Sequence, residues 1–87
     1  MSLLQTDFNL KLQDLVTINL EQVKANGFNP IVNPDELFII SRQYDIGEPA
    51  YNVRSEDTGA RIYLSEDKEY AFVDEELTLV ASKESYS

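Results

Sequence analysis

Two short alternating segments around a tight turn constrain the fold of this chain more than any other feature. Residues 50–54 and 61–65 flank the sequence Ser-Glu-Asp-Thr-Gly, which is typical of a type I turn followed by a left-handed glycine. This pattern predicts a β-hairpin. Because alternate side chains of a strand share a face, four apolar side chains are expected to point toward the core: Tyr51, Val53, Ile62 and Leu64.

Further strands are predicted on both sides of this hairpin. Residues 13–20 alternate apolar and polar side chains, which favours a half-buried strand, although a helix over residues 7–20 remains the alternative. The continuous apolar run in residues 37–41 is typical of a central strand with both faces covered. Residues 69–73 and 77–80 are predicted to form the last two strands.

Two short helical segments are predicted between these strands. Asn19 occupies a capping position and Gly27 a helix-ending position, which together indicate a helix near residues 20–26. The run Asp-Glu-Glu-Leu at residues 74–77 is typical of a single helical turn, with Asp74 as its cap.

The order of these elements resembles that of SH3-like barrel domains. The segment Asp-Leu-Val-Thr-Ile at residues 14–18 is similar to their opening strand, and residues 72–80 are similar to their closing helical turn and strand. The resemblance implies a mainly β, five-stranded barrel, whereas the alternative is an α+β fold with an N-terminal helix on an antiparallel β-meander. The expected single domain, 1–87, comprises an N-terminal arm, a barrel and a flexible tail at residues 1–12, 13–80 and 81–87.

The composition removes most groups that catalyse reactions at neutral pH. The 87 residues include no histidine and no cysteine, which excludes histidine-based triads, thiolate nucleophiles and disulfides. Carboxylates on exposed turns lack the desolvation that separates an acid from a base, and no calcium-loop pattern is present. We therefore expect no enzymatic activity, no metal site and no cofactor.

The compartment and the excluded ligands follow from charge and hydropathy. The first ten residues have neither a basic region nor a continuous apolar run, so a signal peptide is not expected. The absence of cysteine favours a reducing compartment, and we expect a cytoplasmic protein. Sixteen acids against seven bases give a net charge of -9, which disfavours direct binding to nucleic acid or to a membrane.

The acidic residues are concentrated in the second half of the chain. Residues 1–44 carry a net charge of -2 and residues 45–87 one of -7. Solvated turns would explain these clusters, whereas one continuous acidic face would indicate a basic partner. Tyr63, on the outer face beside Arg61, is of a type enriched in interfaces. The candidate partner-binding residues are Asp45, Glu48, Glu56, Asp57, Arg61, Tyr63, Glu66, Asp67 and Glu69.

Two functional hypotheses follow. The first is a non-enzymatic protein-interaction domain or accessory subunit that presents a surface to another protein. The second is an inhibitor that imitates nucleic acid and occupies the basic groove of a nucleic-acid-binding protein, which requires its acids to lie on one face. Phe8 and Leu10 in the N-terminal arm either cover the barrel or dock on a second copy of the chain, which would make a homo-oligomer.

Overall fold

A computed structural model describes residues 8–83 of the chain. Seven strands, one α-helix and one 3₁₀ helix follow one another along this part of the chain. Their bounds are β1 Leu15–Ile18, α1 Leu20–Ala25, β2 Phe38–Asp45, β3 Pro49–Ser55, β4 Tyr63–Ser65, β5 Lys68–Glu69, β6 Phe72–Val73, the 3₁₀ helix Asp74–Glu76 and β7 Leu77–Ala81.

Five of the strands form one antiparallel sheet in the order β6-β3-β2-β1-β7. Because β2 is the middle strand, the prediction of a central strand at residues 37–41 is confirmed, and the strand continues to Asp45. The strand β1 confirms the extended interpretation at residues 15–18, but the predicted strand 13–20 is too long at both ends, because Gln13 lies in a turn and Leu20 begins α1. The helical alternative over residues 7–20 is wrong for β1 and for the residues described before it. Within residues 8–83 no ladder joins β6 to β7, which form the two edges. The fold is mainly β.

The helix α1 confirms the predicted caps. The Asn19 side chain accepts a hydrogen bond from the main-chain N–H of Gln22 at 3.5 Å, and Asn26 is the C-cap. Gly27 follows with φ of 95°, a conformation that side chains disfavour. The apolar face of this short helix contributes Val23 to the core.

The core lies beneath the five-stranded sheet and draws on residues from most of the described chain. Alternation along β1 and β2 directs branched and aromatic side chains inward, and β6 and β7 close the cluster. The buried members of this cluster are Leu10, Val16, Ile18, Val23, Phe38, Ile40, Tyr51, Val53, Phe72 and Leu77.

The predicted hairpin is confirmed at its turn and wrong in its second strand. Gly59 has φ of 77°, as the turn sequence predicts, and the main-chain N–H of Ser55 donates to Ala60 at 2.7 Å. The ladder then ends after one bridge between Arg54 and Arg61. The following residues leave the main sheet, since β4 pairs with β5 in a separate two-stranded sheet. Leu64 is consequently 53% exposed instead of facing the core.

The N-terminal residues that are described cover the core of their own chain. The ring of Phe8 makes an edge-to-face contact with the ring of Tyr51, with ring centroids 5.9 Å apart, and Leu10 is buried. The side-chain amide of Gln43 donates to the carbonyl of Leu10 at 2.7 Å, which holds the arm against β2. Residues 1–7 and 84–87, which contain most of the predicted arm and tail, lie outside the described residues; Ala81, assigned to the tail, belongs to β7.

No helix in the described part of the chain combines the length and the apolar character needed to span a membrane.

Candidate functional site

The end of α1 fixes the direction of the long loop that follows it. The main-chain N–H of Gly27 donates to Lys24 at 3.0 Å, and that of Phe28 donates to Val23 at 3.1 Å. These two bonds are the Schellman ending of a helix, which reverses the chain and brings an apolar residue back onto the last turn. Phe28 then stacks on Tyr70 with ring centroids 4.0 Å apart and an interplanar angle of 8°. The start of the loop is therefore fixed by the main-chain hydrogen bonds to α1 and by the contact between Phe28 and Tyr70.

A groove of about 410 Å³ lies between this loop and the segment that follows the hairpin turn. Ile31 in the loop is fully exposed, and Tyr63 on the opposite wall is half-exposed. Most of the side chains that form the groove are apolar. We call this surface the apolar groove; it is lined by residues 28–32 in one wall, residues 60–63 in the other, and Glu36, Phe38 and Ser55 between them.

Hydrogen bonds connect the end of β3 to one wall of the apolar groove and to the end of the loop that precedes β2. Buried Ser55 donates its hydroxyl to Oε2 of Glu36 at 3.0 Å, while its main-chain N–H donates to Ala60 at 2.7 Å. The main-chain N–H of Glu56 donates to Leu37 at 2.9 Å. Since these bonds reach both the loop and the hairpin turn, the shape of the groove is set by the sheet beneath it.

A second depression adjoins the apolar groove and shares Glu36 with it. We call it the acidic depression; it is lined by residues 33–37 together with Glu56 and Asp57. Four of these residues carry carboxylates: Asp35, Glu36, Glu56 and Asp57. They meet because the first two precede β2, the last two follow β3, and these strands are antiparallel neighbours. No basic residue is among those that line it. The predicted residues Glu56 and Asp57 thus join two acids that the sequence did not connect with them.

Three other predicted residues meet on the small sheet. Nη1 of Arg61 forms an ion pair with Oε2 of Glu69 at 3.2 Å, and Tyr63 pairs with Glu69 across the β4–β5 ladder. Asp67 lines a third depression together with Tyr63, Glu69 and the basic residue Arg42. Here acids and bases alternate, so this surface does not present a single charge.

The remaining predicted acids lie elsewhere. Asp45, the last residue of β2, and Glu48, in the turn that follows, are exposed at the opposite end of β3 from Glu56. The seven residues of β3 span about 20 Å at about 3.3 Å per residue. Glu66 is exposed at the turn between β4 and β5. The candidate acids are therefore distributed over separate regions, and this arrangement does not favour the nucleic-acid-mimicking inhibitor.

Glu76, which belongs to an acidic run expected to be solvated, is only 1% exposed. Its Oε2 accepts hydrogen bonds from the amide of Asn26 at 2.7 Å and from the hydroxyl of Tyr70 at 2.9 Å. Its Oε1 accepts from the main-chain N–H of Val73 at 3.1 Å. We call these four residues the buried carboxylate cluster. The cluster joins the end of α1 to the 3₁₀ helix, since Asn26 is the C-cap of α1 and Glu76 belongs to the 3₁₀ helix. The buried carboxylate is tolerated because both of its oxygens accept hydrogen bonds.

Asp74 was predicted to cap the helical turn, and this prediction is wrong. Val73 is the N-cap, while Oδ1 of Asp74 accepts from the hydroxyl of Tyr51 at 2.6 Å and Oδ2 accepts from the amide of Asn9 at 3.0 Å. Asp14 is also buried and accepts main-chain N–H bonds. A charge count along the chain gives no sign of these contacts, since most of the donors are distant in sequence.

Two tyrosines in these networks have perturbed acidity. Burial, followed by the hydrogen bond to Asp74, raises the pKa of Tyr51 from 10.0 to about 12. Burial and the hydrogen bond to Glu76 raise the pKa of Tyr70 to about 12 in the same way. Both hydroxyls therefore remain protonated donors at neutral pH, which suits a structural role.

Within residues 8–83, no group of three or more acidic side chains has the geometry to hold a metal ion. A comparison of the chain with protein-family models, with curated proteins and with solved structures finds no match.

Proposed function

We propose that this chain is a non-enzymatic protein-interaction domain, an accessory subunit that binds another protein through the apolar groove. The observation that carries the proposal is the fully exposed Ile31 at the rim of a groove whose other wall exposes Tyr63. A single exposed apolar side chain is ordinary, whereas several around one concave surface are typical of a binding site. The acidic residues beside the groove lie on exposed turns, which suits recognition more than catalysis.

The proposal includes an SH3-like architecture. Numbered along the main sheet alone, the strands stand in the order 4-3-2-1-5, and a 3₁₀ helix leads directly into the last strand. The long connection between β1 and β2 and the hairpin turn after β3 also agree with the resemblance noted in the sequence. The separate β4–β5 ladder is an addition to that arrangement, and it supplies Tyr63 to the groove.

Co-purification with quantitative mass spectrometry tests the proposal. The tagged full chain, the variant Ile31→Ser and the variant Ile46→Ser are used to capture proteins from a lysate of the organism that makes the chain. Ile46 is the matched control, because it is an exposed isoleucine in the turn between β2 and β3, outside the groove. We expect a partner whose recovery falls at least about fivefold with Ile31→Ser and stays within about twofold with Ile46→Ser.

Two results would contradict the proposal. One is that no protein is enriched above the level of an untagged control. The other is that the two isoleucine variants reduce capture equally, since a general loss of apolar surface would then explain the result. Thermal unfolding of each variant shows beforehand that the proteins compared are folded.

A further inference from the structure

The apolar groove and the acidic depression form one continuous recognition surface because they share Glu36. One half offers exposed apolar walls, and the other offers four carboxylates. The shared residue is not free to move away, since its Oε2 accepts a hydrogen bond from buried Ser55 at 3.0 Å. A ligand that fills the groove therefore reaches the acids without leaving the surface.

The charge of this surface selects the kind of ligand. Asp35, Glu36, Glu56 and Asp57 line the depression, and none of its lining residues is basic. In the apolar half the one basic residue, Arg61, is paired with Glu69 at 3.2 Å. The surface consequently repels acidic ligands and attracts cationic ones, and the net charge of -9 acts in the same direction at longer range.

We propose that the occupant is an extended segment of a partner protein in which an apolar side chain and a cluster of Lys or Arg lie within a few residues of each other. The apolar side chain fills the groove between Ile31 and Tyr63, and the basic side chains reach Glu56 and Asp57. This inference rests on the proposed function and adds the chemistry of the partner to it. A folded basic protein without such a segment, or an acidic one, does not meet both halves of the surface.

The test is a selection of random ten-residue peptides displayed on phage against the immobilised full chain. We expect the enriched sequences to combine an aliphatic or aromatic residue with at least two Lys or Arg. The best peptide is then synthesised with a fluorescent label, and its Kd is measured by anisotropy at low and at high salt. Raising the salt from about 25 to about 300 mM is expected to weaken binding about tenfold, because exposed charges are screened.

Two double variants with the same change of charge locate the interaction. Glu56→Gln with Asp57→Asn neutralises the acidic depression, whereas Asp45→Asn with Glu48→Gln neutralises the exposed turn at the other end of β3. We expect the first pair to raise the Kd about tenfold at low salt and the second to change it less than about twofold. Matching thermal midpoints show that neither pair disturbs the fold.

The inference is overturned if no peptide is enriched, if the enriched peptides lack basic residues, or if both double variants weaken binding equally. These results separate it from the proposed function. A partner captured from lysate in an Ile31-dependent manner, but insensitive to neutralisation of Glu56 and Asp57, would retain the interaction domain and reject the basic segment. If capture does not depend on Ile31 and binding does not depend on Glu56 and Asp57, both the interaction domain and the basic segment are rejected.

Discussion

The buried carboxylate cluster and the acidic depression use the same kind of side chain in opposite ways. Glu76 in the cluster is 1% exposed and accepts three hydrogen bonds, from Asn26, Tyr70 and Val73. Glu56 and Asp57 in the depression are exposed on a turn. The acidic residues of this chain therefore include two kinds: some hold secondary-structure elements together, and others leave negative charge at the surface.

The largest effect should follow from removing the acid that holds the cluster together. Glu76→Ala leaves the donors of Asn26, Tyr70 and Val73 without their acceptor, and we expect it to lower the free energy of unfolding by about 3 kcal/mol. Urea denaturation monitored by circular dichroism measures the free energy of unfolding. Glu75→Ala is the control, because Glu75 is the exposed neighbour, and it should change stability by less than about 0.5 kcal/mol. Equal effects at the two positions would remove the distinction between the two kinds of acid.

The next effect concerns the residue that connects the cluster with the groove. Phe28 stacks on Tyr70 at 4.0 Å and also lines the apolar groove. Phe28→Ala should lower the free energy of unfolding by about 2 kcal/mol, through lost packing and the lost ring contact. Phe28→Leu keeps much of the apolar volume and should cost about half as much. If denaturation shows no loss for Phe28→Ala, the groove wall is not anchored through this contact.

Alkaline pH should weaken the internal hydrogen-bond networks that contain Tyr51 and Tyr70. The pKa values of Tyr51 and Tyr70 are raised from 10.0 to about 12, so folding favours their neutral forms. Their contribution to stability is complete below pH 10 and is lost as the pH rises through 12.

Urea denaturation at pH 9 and at pH 11.5 tests this expectation. The unfolding free energy of the wild type should fall by about 1–2 kcal/mol per tyrosine more than that of the double variant Tyr51→Phe, Tyr70→Phe. Parallel pH profiles for the two proteins would mean that these hydroxyls are not the groups responsible.

The smallest effect on stability is expected at the rim of the groove. Ile31 is fully exposed, so Ile31→Ser removes no buried surface and should change the unfolding free energy by less than about 0.5 kcal/mol. The same variant is expected to reduce partner capture strongly. A large loss of stability would show instead that Ile31 packs against the chain itself, and the contrast between a structural cluster and a binding surface would fail there.

The local signals in the sequence predict most of the regular structure. Asn19 and Gly27 define α1 because capping is decided by residues a few positions apart. The apolar run at residues 37–41 predicts the central strand because its consecutive buried side chains point to both faces of the sheet. Alternation at residues 62–64 is misleading, because the ladder ends at Arg61 and Leu64 turns outward.

The candidate site is less accessible to sequence reasoning. The prediction grouped acids that are neighbours in the chain, and Glu56 and Asp57 do lie together in the depression. Asp35 joins them because β2 and β3 pair with Phe38 opposite Ser55, a register that no local pattern reveals. The burial of Glu76 depends on donors as distant as Asn26, fifty positions away. Long-range pairing decides which acids stay at the surface and which support the fold.

The strand β7 is an edge strand of the main sheet, and its exposure gives the negative surface charge a second physical effect. Within the described residues only β1 pairs with this strand, and its Leu79 and Val80 are about half-exposed. An edge strand without lysine or proline, such as β7, can pair with a strand of another chain. Repeated pairing of this kind leads to fibrils. Mutual repulsion between copies that each carry a charge of -9 opposes that growth. The acids for which we propose a basic partner thus also oppose the association of identical molecules in a crowded solution.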